Sequence, residues 1–272
     1  MKISISNIGW DEKNDSDMYR YLHEIHVTGI EIAPTRIFKS FPYQKLKEAA
    51  AFQSRLELYE LEISSIQSIW YGRTENIFHN QEELEILKNY TKEAIIFSQT
   101  IGSRNLVFGC PKNRAINKNS QNTLSDIREF FKYLGDFAFE HNTCLSLEPN
   151  PTIYNTNFIN TTASAFELVR EIGCPGFKVN VDLGTILENK EDLEVLDFKW
   201  INHIHISEPG LIAIQKRPEH REMLKMAYEA QYNGYFSIEM GNTDFLTAKK
   251  TVKYLKNLDT ELRKENLYNE TL

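Results

Sequence analysis

Eight short segments with the alternation and composition of β-strands recur along the chain, and longer amphipathic segments separate them. This alternation constrains the fold more than any other feature of the sequence. Strands that alternate with helices form a parallel sheet covered by those helices. The predicted strands are residues 2–8, 29–33, 62–69, 105–109, 143–148, 177–182, 203–207 and 235–239.

The segments between the strands have apolar residues at spacings of three and four, which predicts helices. The clearest are residues 43–61, 82–100, 124–141, 163–172 and 217–231. Glycines precede several strands, and glycine accepts the left-handed conformation that ends a helix. These glycines are Gly29, Gly102, either Gly173 or Gly176, and Gly234. Eight strand–helix units in 272 residues predict one (β/α)₈ TIM barrel that spans residues 1–272 as a single domain.

Charge and composition narrow the set of partners. The net charge of −7 argues against nucleic acid or an anionic membrane as the main partner, because both select basic surfaces. No apolar run approaches the roughly 20 residues of a membrane helix, and the N-terminus lacks a signal-peptide core. Three cysteines (Cys110, Cys144 and Cys174) cannot all pair. We therefore expect a reduced, cytoplasmic protein.

The C-terminal ends of the last four predicted strands each carry a side chain that can bind a metal. They are Glu148, Asp182, His205 and Glu239. Active sites of (β/α)₈ barrels lie at this end of the strands. Three carboxylates and one imidazole that meet there would repel one another without a cation between them. The set suits Mn²⁺, Mg²⁺ or Co²⁺, with Zn²⁺ as an alternative.

Several segments of the chain resemble those of sugar phosphate isomerase/epimerase proteins, which have xylose isomerase-like barrels. The segments are 6–10, 29–35, 108–114, Glu148-Pro149-Asn150, Val181-Asp182-Leu183-Gly184-Thr185, 203–209 and Ser237-Ile238-Glu239. The resemblance implies that Glu148, Asp182, His205 and Glu239 hold one divalent metal ion. It also implies an isomerase or epimerase of a small sugar, sugar phosphate or polyol that forms an enediolate. Glu148 and Glu239 would then exchange the substrate proton, and a homo-oligomer is expected on the same ground.

The chain departs from that pattern at two positions. Many relatives have a histidine three residues after the aspartate of strand six, where this chain has Thr185. Epimerases of the tagatose and psicose type have an arginine six residues after the histidine of strand seven, where this chain has Leu211. Both residues orient free ketoses in those enzymes, so the substrate of this chain stays open.

Other polar and aromatic residues near the predicted strand ends are candidates for substrate binding. Lys112 and Arg114 follow strand four and could hold an anion, and Gln67 could bind a hydroxyl group. Glu208 is a candidate partner for the ring N–H of the metal-bound histidine, or a substrate contact. Trp10 and Trp70 could form an apolar wall against a sugar ring. Each of these residues could equally serve packing or solvation.

Three alternatives to an isomerase remain from the sequence. A metal-dependent dehydratase acting on a cyclitol or keto-sugar would use the same enediolate chemistry but lose a hydroxyl group. A phosphodiesterase like endonuclease IV needs several more histidines at strand ends and a basic surface, whereas this acidic chain has seven histidines. A sugar-binding barrel without catalysis is the third alternative. It would not require the complete metal set.

Overall fold

Eight parallel strands close into a barrel in the order of the sequence, with helices between them, in the computed structural model of the chain. The model describes the backbone of residues 1–269 and the side chains of residues 1–265. The strands are β1 (Lys2–Ser6), β2 (Gly29–Ile32), β3 (Glu62–Ile66), β4 (Leu106–Phe108), β5 (Leu145–Leu147), β6 (Phe177–Asp182), β7 (Ile201–Ile206) and β8 (Tyr235–Ile238). Strand β8 pairs with β1 and closes the barrel. The predicted fold class is confirmed.

The helices cover the outside of this barrel. They are α1 (Asp15–Glu24), α2 (Pro34–Ile37), α3 (Leu46–Glu57), α4 (Gln81–Thr100), α5 (Leu124–Glu140), α6 (Thr162–Ile172), α7 (Leu183–Asn189), α8 (Pro218–Glu229) and α9 (Phe245–Asn269). The five predicted helices correspond to α3, α4, α5, α6 and α8 within a few residues. Helices α1, α2, α7 and α9 were not among those predicted. No helix in the described part of the chain is long and apolar enough to cross a membrane.

Two glycines show why the residues that end a helix before the next strand were only partly predicted. Gly173 ends α6 in the left-handed conformation with φ 63°, as expected. Gly29 instead lies inside β2, so the prediction that it ends a helix is wrong. A Cβ atom at Gly29 would lie 2.6 Å from the Cβ of Ser4 and 2.4 Å from the ring of Tyr235. The absence of a side chain therefore serves packing inside the barrel.

The aromatic core lies between the strands and the helices. Phe131 of α5 stacks on Phe177 of β6 at 4.9 Å and meets Phe108 of β4 edge-on at 5.0 Å. The interior of the barrel, in contrast, is polar at its centre, where such barrels are usually filled by branched apolar residues. Glu31 of β2 reaches His205 of β7 across the interior at 3.0 Å. The hydrogen-bonded network therefore continues from the C-terminal end of the barrel, where the site lies, into the barrel interior.

Candidate metal centre

The four residues predicted to bind a metal meet at the C-terminal end of the barrel. Glu148 follows β5, Asp182 ends β6, His205 lies in β7 and Glu239 follows β8. One ligand atom from each lies within 4.8 Å of the others. The Nδ1 atom of His205 lies 2.8 Å from Oε1 of Glu148 and 3.2 Å from Oε2 of Glu239. The structure therefore brings together all four residues.

Hydrogen bonds from neighbouring residues fix the carboxylate of Asp182. The backbone N–H of Thr185 donates to its Oδ2 atom at 2.7 Å, because Asp182 also caps the N-terminus of α7. The hydroxyl of Thr185 lies 2.8 Å from the same oxygen, and the hydroxyl of Ser207 donates to Oδ1. The carboxylate is held in place without a metal, as a preorganised ligand should be.

The carboxylate of Glu148 is fixed in a similar way by two amide side chains. Asn180 donates to Oε1 at 2.8 Å, and Asn150 donates to Oε2 at 3.1 Å. Arg114 supports this arrangement from below. Its guanidinium is fully buried and donates to the backbone oxygen of Glu148 at 2.9 Å and to Oδ1 of Asn150 at 2.8 Å. Burial lowers the pKa of Arg114 to about 10, so it stays charged at neutral pH.

Glu31 belongs to the site, and sequence reasoning missed it. Its Oε1 atom lies 3.0 Å from Nε2 of His205 and 3.5 Å from Nε2 of His203. The hydroxyl of Ser237 donates to Oε2 at 3.2 Å. The carboxylate is completely buried. The signal in the sequence was a single charged residue within the apolar strand Gly29–Ile32, since a charge is almost never fully buried without a partner.

The electrostatics of the cluster show that it requires positive charge. Burial alone would lower the pKa of His205, but the carboxylates of Glu31, Glu239 and Glu148 raise it well above its ordinary value. Burial raises the pKa of Glu239 to about 7, against the opposing effect of His205. Burial and the charge of Glu148 also raise the pKa of Asp182. The carboxylates around His205 therefore favour a positive charge at this position.

A divalent cation fits this donor set. Metal binding at Nδ1 of His205 would replace the proton there, and Glu31 is placed to accept a hydrogen bond from the Nε2–H group. A carboxylate in that position fixes the tautomer and orientation of a metal-binding histidine. Three carboxylate oxygens with one imidazole nitrogen suit hard or borderline divalent ions. The second group with suitable spacing in the described residues is Glu31, His203 and His205, which shares His205 with the first.

A cavity of about 160 Å³ lies against the carboxylate cluster. Its wall includes Gln67, Cys110, Tyr154 and Leu211 in addition to the three carboxylates. Gln67 was predicted to contact substrate, and it lies at the cavity with its amide donating to the hydroxyl of Ser6. Burial raises the pKa of Cys110 to about 12, so its thiol is protonated at neutral pH and is a poor nucleophile.

The two tryptophans predicted to form an apolar wall lie elsewhere. Trp10 is buried, and its indole N–H donates to Asp15 at 2.8 Å. Trp70 is also buried, and its indole N–H donates to Thr91 at 2.8 Å, while its ring packs edge-on against Phe108. Neither ring lies among the residues that line the cavity. Both tryptophans follow strand ends, but each indole N–H donates its hydrogen bond to a residue of an outer helix.

The remaining charged candidates also lie away from the cavity. Arg217 binds the carboxylate of Glu208 through two nitrogens, with distances of 2.6 to 2.9 Å. The prediction that Glu208 is the partner of His205 is wrong, because Glu31 occupies that place. Lys112 is exposed, and Arg114 contacts protein atoms below the site rather than the cavity.

The two departures from the family pattern occupy different positions. The hydroxyl of Thr185 is buried and lies 2.9 Å from the backbone oxygen of Pro149, so it joins the first turn of α7 to the loop after β5. Leu211 lines the cavity and has a left-handed backbone with φ 54°. Such a conformation is rare for a bulky residue and is found where surrounding structure enforces it. The position of the family's arginine is thus an apolar wall here.

The fold and the cluster define a (β/α)₈ barrel with a candidate metal centre at the C-terminal ends of β5 to β8. The chain belongs to the xylose isomerase-like TIM barrel family, whose model matches residues 19–258. No curated protein sequence is detectably similar to the chain.

Solved structures share this fold at low sequence identity. A D-tagatose 3-epimerase-like protein has a TM-score of 0.76 at 17% identity, with 97% of this chain and 99% of that chain covered. The 3-keto-D-glucoside 4-epimerase of E. coli has a TM-score of 0.72 at 16% identity, with the same coverage. A D-psicose 3-epimerase studied in the presence of D-fructose has a TM-score of 0.70 at 13% identity, with 98% and 99% covered.

Proposed function

We propose that this chain is a divalent-metal-dependent isomerase or epimerase of a small sugar, sugar phosphate or related polyol. The observation that carries the proposal is the convergence of Glu148, Asp182, His205 and Glu239 at the mouth of the barrel. Two further observations support it. The carboxylates line a cavity, and the solved structures with the same fold include sugar epimerases.

Glu148 and Glu239 are the proposed acid–base pair. They follow β5 and β8, which lie on well-separated parts of the barrel rim, and both border the cavity. A substrate bound in the cavity would lie within reach of both carboxylates, so one glutamate could remove a proton and the other return it. The pKa of Glu239, raised to about 7 by burial, allows this group to exchange a proton near neutral pH.

Asp182 and His205 are the proposed ligands that hold the ion without exchanging the substrate proton. When bound, a divalent ion would polarise the substrate carbonyl and stabilise the negative charge of the enediolate. Mn²⁺, Mg²⁺ or Co²⁺ best suits the oxygen-rich set, and Zn²⁺ is the alternative. The buried Asn180 and Asn150 side chains keep Glu148 oriented toward the cavity.

Exchange of substrate protons with deuterated water tests the proposal. Metal-stripped protein would be reloaded with Mn²⁺ and incubated with a panel of keto-sugars, their phosphates and keto-cyclitols, with analysis by NMR and mass spectrometry. We expect deuterium at the carbon next to the carbonyl of at least one substrate. Exchange should fall by at least about a hundredfold in Glu148→Gln and Glu239→Gln, since general acid–base groups contribute about 10² to 10⁴ in rate.

The control and the contrary outcomes are distinct. Glu140→Gln alters an exposed glutamate at the end of α5 and should leave exchange unchanged. Loss of a water molecule from the product mass would identify a dehydratase that uses the same residues. Undiminished exchange in both glutamine variants would refute the assigned acid–base pair. Absence of exchange with every substrate, despite stoichiometric metal binding, would argue for a barrel that binds sugars without catalysis.

A further inference from the structure

A second hollow adjoins the cavity at the same end of the barrel. It is an open groove of about 550 Å³ between the loops that follow β1, β2, β3 and β8, and Ser68 belongs to the walls of both hollows. We call it the outer groove. Its walls include Thr35, Tyr71 and Asn242. The mouth of the barrel is thus a small cavity at the carboxylates that opens past Ser68 into a larger hollow.

The sizes of the two hollows leave room for more than a single sugar. The cavity of about 160 Å³ is of the size that holds one six-membered ring, since an apolar cavity of about 150 Å³ binds benzene. A second sugar unit attached to that ring would have to lie outside the cavity. The outer groove has room for more than three times as much. Space for a second sugar unit therefore begins where the reacting unit ends.

The charges on the walls favour an uncharged ligand. Within the described part of the chain, Arg36 is the single lysine or arginine on the walls of the cavity and the outer groove. Its guanidinium is already bound by Asp15 at 2.7 and 3.1 Å. Glu12 of the groove is paired with Lys39 at 2.8 Å. Among the described residues, a phosphate group would find no free lysine or arginine here, whereas hydroxyl groups would find carboxylate, hydroxyl and amide partners.

The walls of the outer groove also present an aromatic side chain to solvent. Tyr71 is 71% exposed, so the face of its ring is open to a ligand. The flat face of a tyrosine ring packs against the C–H groups on one face of a sugar ring.

We propose that the outer groove is a subsite for a second sugar unit, and that the substrate is an uncharged glycoside. Its keto-sugar unit lies in the cavity at Glu148 and Glu239, and its second unit lies against Tyr71. This inference rests on the proposed function and narrows its substrate class. It excludes a sugar phosphate, because the described walls of the two hollows offer no lysine or arginine that is free to bind one.

Binding of matched sugars to the Mn²⁺-loaded protein tests the subsite. The probes are D-fructose and its glucosides linked through O1, O4 and O6, namely trehalulose, maltulose and isomaltulose, measured by calorimetry. We expect at least one glucoside to bind about tenfold more tightly than D-fructose, which corresponds to about 1.4 kcal/mol. Tyr71→Ala should abolish that preference and leave D-fructose binding unchanged. Tyr133→Ala, which truncates an exposed tyrosine of α5, is the matched control and should keep the preference.

Two outcomes would overturn the subsite: no glucoside binds more tightly than D-fructose, or the preference persists in Tyr71→Ala. The same probes in the deuterium exchange assay separate the subsite from the proposed function. Tighter binding of a glucoside without exchange of any substrate would support the subsite and contradict the isomerase. Exchange of free sugars with no preference for glucosides would support the isomerase and contradict the subsite.

Discussion

Replacing Glu31 with glutamine should weaken metal binding although Glu31 is not a proposed ligand. Its carboxylate lies 3.0 Å from Nε2 of His205, whose Nδ1 atom faces the proposed ion. Glutamine keeps the shape of the side chain and one acceptor oxygen, but it removes the negative charge that orients and polarises the imidazole. Loss of such a partner costs about 10- to 100-fold in metal affinity, or about 1.4 to 2.7 kcal/mol.

Calorimetric titration of metal-stripped protein with Mn²⁺ measures this effect without reference to turnover. Far-ultraviolet circular dichroism would first show that Glu31→Gln is folded. Ser237→Ala is the matched control, since it removes only the 3.2 Å hydrogen bond to the other oxygen of Glu31. We expect a change of less than about threefold in that control, because the charge of Glu31 and its 3.0 Å contact with His205 are both kept. Equal Mn²⁺ affinity in Glu31→Gln and wild type would refute the positioning role.

Three further predictions follow from the same geometry. Since burial raises the pKa of Glu239 to about 7 from 4.5, metal-free protein gains stability that is complete below pH 4.5 and lost as pH rises through 7. Compared with Glu239→Gln, wild type in chelator should therefore lose about 3 kcal/mol more unfolding free energy in urea between pH 4.5 and pH 8, and an equal loss in both proteins would contradict this. Gly109→Ala places a Cβ 2.5 Å from Oε2 of Glu148, so Mn²⁺ affinity should fall about tenfold, with a melting temperature close to that of wild type. Arg114→Leu removes two charge-assisted hydrogen bonds and should lower the free energy of unfolding by about 2 kcal/mol, as measured in urea; an unchanged midpoint would contradict this.

The sequence was sufficient for the fold and for the position of the proposed metal ligands. Strand alternation and length determine which residues end each strand, and the ends of parallel strands meet at one rim of the barrel. The positions of Glu148, Asp182, His205 and Glu239 follow from that rule alone. The strands themselves are shorter than predicted at β3 and β5, because the residues beyond them turn into the loops that shape the site.

The surroundings of these residues could not be predicted because they depend on contacts between distant strands. The bond between Glu31 and His205 joins residues 174 positions apart and crosses the barrel interior. Arg114 has the sequence context of an exposed cationic loop, yet its loop folds back and buries the guanidinium under Glu148. Trp10 and Trp70 follow strand ends, but tertiary packing determines which helices accept hydrogen bonds from their indole N–H groups.

The central claim is that the four strand-end residues form one divalent metal site. Calorimetry with Mn²⁺ on metal-stripped protein, comparing wild type with His205→Ala, tests it most directly. His23→Ala is the control, because His23 lies partly exposed on α1. We predict saturable binding of one ion in wild type and in the control. Binding should be weakened by more than about a hundredfold in His205→Ala, which exceeds the loss expected when a residue that only orients a metal ligand is replaced. Equal binding in His205→Ala and wild type, or no binding in wild type, would contradict the claim.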